Sequence, residues 1–321
     1  MTIEYKLTRE AMGETLVKLG KINKNIVVLD ADLSKSTMTN KFAKEFPDRF
    51  FDMGIAEQDM ITTSAGLALT GKIPFCATYG VFLPGRCWDQ VRISVCYSNL
   101  NVKLCCAHGG VSVGADGATH QALEDVALLR CLPNMVIIMP ADAIEMVKCV
   151  EAVAKYVGPV AIRFGREKVP IITKPEDVFE IGKANLIREG SDVTIIGSGG
   201  LILYECLLAA EELAKKKISV RIINMHTIKP IDESAIIKAA KETGAIVTAE
   251  EHQVMGGLGS AIAEVVVKNT TVPMEFIGIQ DRFGESGTPR ELFDEFELSA
   301  KFIQQAVEKV LKRKNRNDRP I

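Results

Sequence analysis

The stretch FFDMGIAEQDMITTSAGLAL, Phe50–Leu69, decides how this chain is read. Its first residues are strand-like, and from Ile55 onward small and apolar residues recur at helical spacing. A strand that becomes a helix within a few residues is the joint of a β–α unit. Glu57, Gln58 and Asp59 stand at that joint, so a carboxylate lies at the mouth of an apolar segment. Two explanations compete. A first-turn acid can complement the helix dipole, or a partly buried acid can hold a proton for chemistry.

The same alternation extends outward on both sides. IVVLD (26–30), RFFDM (49–53), IPFCATY (73–79), NVKLCCAH (101–108), MVIIMP (135–140) and VAIRF (160–164) read as strands. TREAMGETLVKLGK, IAEQDMITTSAGLALTG and ADAIEMVKCVEAVAKY carry helical periodicity between them. Strands alternating with helices predict an α/β fold, with a parallel sheet covered by helices on both faces. Through REKVPIITKPEDVFEIGK, with prolines at 170 and 175, the alternation weakens; it restarts at DVTIIGSG and runs to PMEFIGI (273–279). A chain of 321 residues exceeds the size of most single cores. The expectation is a larger domain over 1–170, a linker over 171–190 and a smaller α/β domain over 191–321.

Composition excludes several function classes. A net charge of −2 gives no electrostatic reason for nucleic acid or membrane as partner. Eight cysteines, with no CxxC and in apolar surroundings such as KLCCAH, fit buried reduced thiols rather than a disulfide frame. MTIEYKLTRE has no apolar leader and no stretch reaches transmembrane length, so a soluble cytoplasmic protein is expected. The basic terminus VLKRKNRNDRPI reads as a solvated helix end and tail.

In open α/β sheets, ligands bind at the carboxyl ends of strands. LDADLSKS (29–36), MGIAEQ (53–58), AHGGVSVGADGATHQ (107–121) and RFGR (163–166) all follow strands, so four polar clusters converge on one edge. The third combines four glycines with His108, Asp116 and His120. Glycine permits close backbone approach, and histidine with aspartate can bind hydroxyls and move protons; a surface glycine loop is the alternative. The spacing is too wide for a metal site. Arg163 and Arg166 suit a phosphate or carboxylate, or else form ordinary ion pairs. Tyr79 and Phe82, just past a strand, could stack on a flat ring, although core packing explains them as well. VMGGLGSAIAE lacks the full dinucleotide pattern and reads as a tight turn. His226 and His252 read as structural.

Taken together, MGIAEQ, the aromatic pair, GADGATHQ and RFGR resemble the pyrimidine-binding half of the transketolase family. NMHTIKPID, EEHQVMGGLGSA and DRFGESG resemble that family's C-terminal domain, so the likeness covers nearly the whole chain. The resemblance implies thiamine diphosphate as cofactor. Glu57 would then hydrogen-bond N1′ of the aminopyrimidine and share a proton with it, the cofactor supplying the carbanion chemistry. Apolar burial favours the protonated form of such an acid, whereas the helix N-terminus favours the anion. By the same resemblance Phe82 stacks on the pyrimidine, with Tyr79 as a second wall. Asp32 approaches the cofactor, and His108 and His120 lie near the reacting sugar carbons. Asp116 binds the donor hydroxyl, while Arg9, Ser36 and Arg166 grip the sugar phosphate, with Arg163 beside them.

One departure matters. The GDG motif and its following asparagine, which hold magnesium in full-length transketolases, have no counterpart here. The chain is therefore expected to be the C-terminal subunit of a split transketolase. Its partner would be an N-terminal subunit that holds the diphosphate and Mg²⁺, in a heterotetramer acting on sugar phosphates in the pentose phosphate pathway. Alternatives are a 1-deoxyxylulose-5-phosphate synthase-like chain, a 2-oxo-acid dehydrogenase β-like subunit, and a non-catalytic partner-binding module. Ala107-His108 stands where the first of these tends to carry Asp-Arg, which disfavours it.

Overall fold

The computed structural model describes residues 4–317. The end of the basic tail lies outside them. The short strand β1 (Tyr5–Leu7) leads into the helix Thr8–Ile22. Then come β2 (Ile26–Asp30), β3 (Phe50–Asp52), β4 (Ile73–Tyr79), β5 (Lys103–Ala107), β6 (Val136–Ile138), β7 (Val160–Arg163) and β8 (Lys168–Pro170). The strands β2 to β7 are those expected from the alternation of apolar runs, and they pair in parallel. All five residues of β2 are buried. Val27 and Leu29 enter one apolar layer, while Ile26 and Val28 enter the layer on the opposite face. Burial on both faces is why these strands read as continuous apolar runs rather than as alternating ones.

The second half contributes β9 (Asn185–Arg188), β10 (Val193–Ser198), β11 (Val220–Asn224), β12 (Thr227–Lys229), β13 (Ile246–Gln253) and β14 (Met274–Ile279). Five of them form a second sheet in the order β14-β13-β10-β11-β9, and helices pack around it. The first sheet has the order β12-β6-β7-β5-β4-β2-β3. Both sheets are α/β, as the sequence predicts. Among the described residues no helix is long and apolar enough to cross a membrane. Seven of the eight cysteines are buried and free, and Cys131 is exposed.

The structure departs from the expectation of an all-parallel architecture in three places. β12 comes from the second half yet closes the first sheet, antiparallel to β6, with Met139 N–H donating to His226 O at 2.7 Å just beyond it. β9 lies inside the segment expected to be a linker and runs antiparallel along β11. β1 pairs antiparallel with β8, which joins residues 5–7 to residues 168–170. Each is only three or four residues long, too short for periodicity to register.

Buried polar groups stitch the halves together. Asp142 caps the helix Ala143–Lys155 by accepting from the Ile144 and Glu145 amides. Its other oxygen accepts from the amides of Ile172 (2.8 Å) and Thr173 (2.6 Å). Glu145 accepts from Ala141 N–H at 2.6 Å and from the Asn224 amide at 2.9 and 3.1 Å. Arg163 is buried. Its Nε donates to Asp125 at 2.8 Å, and its Nη2 donates to the carbonyls of Ala122 and Glu251, each at 2.9 Å. This corrects the expectation that Arg163 pairs with Arg166 to grip an anion. As the last residue of β7 it points into the junction between the halves, where desolvation demands that its donors be satisfied internally.

Two outcomes test these contacts. Arg163→Met strands the Asp125 carboxylate and is expected to cost about 3–5 kcal/mol in urea unfolding; a cost under about 1 kcal/mol would return Arg163 to a solvent-facing role. Burial pushes the Glu145 carboxyl from its ordinary 4.5 up to about 7. The folded chain therefore holds that proton more tightly than the unfolded chain. The resulting stability is full below pH 4.5 and is lost as pH rises through about 7. Glu145→Gln should flatten the decline in stability between pH 5 and 8 by up to about 3 kcal/mol. The new amide would be accommodated by turning Asn224, whose Oδ1 has no partner. Unfolding at both pH values measures the difference, and parallel profiles for the two proteins would refute it.

Candidate active site

Because β2 to β7 are parallel, their carboxyl ends share one edge. β3 lies to one side of β2 and β4 to the other, so winding reverses there and leaves a crevice at the switch point. Glu57 opens the helix Glu57–Leu69 immediately beyond β3 and is only 6% exposed. Asp59 in the same turn is exposed, as expected of an acid that merely complements the helix dipole. Glu57 Oε1 accepts from Arg86 Nη1 at 2.5 Å. Among the described residues no protein donor reaches its Oε2.

A group of aromatic rings is linked to this carboxylate through Arg86. Tyr79 ends β4, and Phe82 follows three residues later, stacked with centroids 5.7 Å apart. Tyr79 also stacks on the His108 imidazole at 3.9 Å. His120 stands edge-on to Tyr79 at 5.9 Å and to Phe82 at 5.5 Å. The Arg86 guanidinium lies 3.9 Å over the Phe82 ring while it holds Glu57.

His108 is 2% exposed and follows β5 with φ of 60°. A positive φ on a residue with a side chain is a strained arrangement typical of functional sites. Two residues on, Gly110 has φ of 92°, and a Cβ there would collide with the Glu251 carboxylate, so only glycine fits the turn. Burial, then the charges of Arg9 and Arg166 and then His120, hold the His108 imidazole down to about pKa 3. It is neutral across the physiological range, and its Nδ1 has no partner.

Cations form the rim. The pairing of β1 with β8 brings Arg9, at the start of its helix, towards Arg166, which precedes β8. Arg9 donates to the Ser36 carbonyl at 2.8 Å, while its buried Nε is unpartnered. Burial and the charge of Arg166 both lower the Arg9 pKa, a tension that a bound anion would relieve. Arg166 donates to Val113 O at 2.8 Å and pairs with Asp116 at 3.2 Å. Asp30, its carboxyl pushed up to about 6 by burial, accepts from Leu33 N–H, Thr37 Oγ1 and Thr39 Oγ1, and so shapes the turn carrying Ser36.

Glu57, Tyr79, Phe82, His108 and His120 thus come together in one slot, and Arg9, Ser36, Asp116 and Arg166 form its rim. Arg163 stays apart, in the junction. Asp32 is exposed at the end of β2, with its N–H donating to Asp52 Oδ1 at 3.1 Å. Arg86 escaped the sequence reading. The available signal was its position four residues after Phe82, which puts a cation on the same helical face as the ring. The glycine turn 254–264 holds no phosphate-type site. Glu250 accepts from the Leu258 and Gly259 amides at 2.7 and 2.8 Å and caps the helix from within, with burial pushing its carboxyl up to about 8. His226 and His252 are buried in the second half, the first stacked on Phe179 at 4.4 Å. Among the described residues no cluster of three or more His, Cys, Asp or Glu could hold a metal ion.

Comparison with known proteins shows the family. The family model "Transketolase, pyrimidine binding domain" matches residues 5–171, and "Transketolase, C-terminal domain" matches residues 182–303. The chain is 46% identical to a putative transketolase C-terminal section of Methanocaldococcus jannaschii, covering 96% of this chain and 98% of that one. It is 41% identical to a 6-deoxy-6-sulfo-D-fructose transketolase subunit of a Clostridium species, covering 98% and 97%. Among solved structures, one titled "Split gene transketolase, inactive beta4 tetramer" is 47% identical and superposes with a TM-score of 0.89, covering 96% of this chain and 99% of that one. The chain belongs to the transketolase family and carries, in order, its pyrimidine-binding and C-terminal domains.

Proposed function

We propose that the chain is one half of a two-component transketolase, moving a two-carbon ketol unit from a ketose phosphate to an aldose phosphate with thiamine diphosphate. The observation that carries this reading is the buried Glu57 carboxylate at the foot of an aromatic slot, with one oxygen open to a ligand. An aminopyrimidine fits such a slot, since it needs a carboxyl partner for a ring nitrogen and a flat apolar wall. When bound, thiamine diphosphate supplies a nucleophilic carbon that takes up and hands on the carbonyl fragment.

The chain's own residues do the rest. Glu57 presents its free oxygen to the ring nitrogen it would bond. Phe82 and Tyr79 exclude water and fix the ring plane. Neutral His108 offers Nδ1, and His120 its ring, to hydroxyl and carbonyl oxygens of the sugar. Asp116 accepts from a donor hydroxyl, and Arg9, Arg166 and the Ser36 turn take the terminal anion. A guanidinium pair binds any tetrahedral oxyanion, and the Clostridium relative is named for a sulfonated sugar, so phosphate as the anion is part of the proposal. Mg²⁺ and the diphosphate belong, in this reading, to a partner subunit in a heterotetramer. The inactive tetramer named for the split-gene relative supports partner dependence.

With the partner supplied, Glu57→Gln is expected to lower ketol transfer by roughly 10²–10⁴-fold; undiminished transfer would remove the proton role. Arg166→Ala should raise KM for phosphorylated sugars by about 10–100-fold with little change in kcat, because a remote anion grip is mostly uniform binding. Steady-state assays on phosphorylated and unphosphorylated acceptors check this, and a fall in kcat alone would contradict it.

A further inference from the structure

We propose that Arg86 is a resident occupant of the aminopyrimidine slot, and that cofactor loading requires its guanidinium to swing out. The inference rests on the reading of Glu57 and Phe82 given above. Arg86 already holds the two groups that an aminopyrimidine would use there, the Glu57 carboxylate and the Phe82 face. It donates to Glu57 Oε1 at 2.5 Å, and its planar guanidinium covers Phe82 at 3.9 Å. A guanidinium is flat, carries N–H donors and stacks on aromatic faces, so it imitates a protonated heterocycle.

The surroundings allow it to leave. The Arg86 side chain is 47% exposed, and the adjacent Gly85 borders open space. Cys87 breaks helical geometry with φ of −117° and ψ of 18°, so Arg86 is not locked by a regular helix on its C-terminal side. Without a ligand, the cation also spares Glu57 from being a buried carboxylate with no partner. Arg86 therefore keeps the slot closed yet pre-shaped, and it acts as an internal competitor of the cofactor.

The test is the affinity of the assembled two-subunit complex for thiamine diphosphate in Mg²⁺, titrated by calorimetry. Arg86→Ala is expected to bind about tenfold tighter than wild type, equivalent to ~1.4 kcal/mol. The difference should shrink as salt rises, because the Arg86 end of the pair is open to solvent and its charge is screened there. In the Arg86→Ala background, Glu57→Gln is expected to weaken binding. If it does, but Arg86→Ala alone binds no tighter than wild type, the occupant role of Arg86 is wrong and the Glu57 reading stands. If Glu57→Gln changes nothing in that background, the slot does not hold the pyrimidine and both proposals fail. Melting curves of each variant chain show whether it is folded, and Arg86→Lys, which keeps the charge but loses the flat stacking face, is expected to fall between wild type and Arg86→Ala.

Discussion

A guanidinium taken out of water must find its donors' partners inside the protein, and Arg163 is such a group. Its partners come from three places: the Asp125 side chain, the carbonyl of Ala122 that ends the glycine-rich segment, and the carbonyl of Glu251 on β13. Meeting them fixes the loop after β5 between the two sheets, and that loop bears His108, Asp116 and His120. The slot inherits its shape from this junction. Its own residues could not hold the arrangement, since most of them face one another across rings and make few hydrogen bonds.

The same economy separates two electrostatic zones. Inside the slot the environment is apolar, and His108 is kept neutral by burial and by cations nearby. At the rim, Arg9 and Arg166 crowd like charges together, partly relieved by Asp116. A neutral interior favours proton sharing over ion pairing, and a strained cationic rim favours an anion. Arg86 is the exception, a positive charge that enters the neutral zone to meet Glu57.

How much of this was legible in the sequence depends on length scale. The strands from Ile26 to Arg163 were readable because a sheet buried on both faces leaves uninterrupted apolar runs. Glu57 stood out as an acid at a strand–helix joint, and the family resemblance gave it a role. The three short antiparallel strands were not readable, since three or four residues show no period and their partners are far away in sequence. Arg163 and Arg166 look alike in RFGR, yet one is buried and the other lines the rim. The direction of the last side chain of β7 is a tertiary fact. Arg86 was half legible, since Phe82 lies four residues away on the same helical face but only the folded chain brings Glu57 within reach.

The strand β12, lent by the second half to the first sheet, removes a degree of freedom. Prying the halves apart would rupture backbone hydrogen bonds to β6 as well as side-chain contacts, so the chain does not work like a jaw. Whatever docks against its functional edge meets two halves already joined by main-chain pairing. Little ordering entropy is then lost on association, and gating falls to individual side chains.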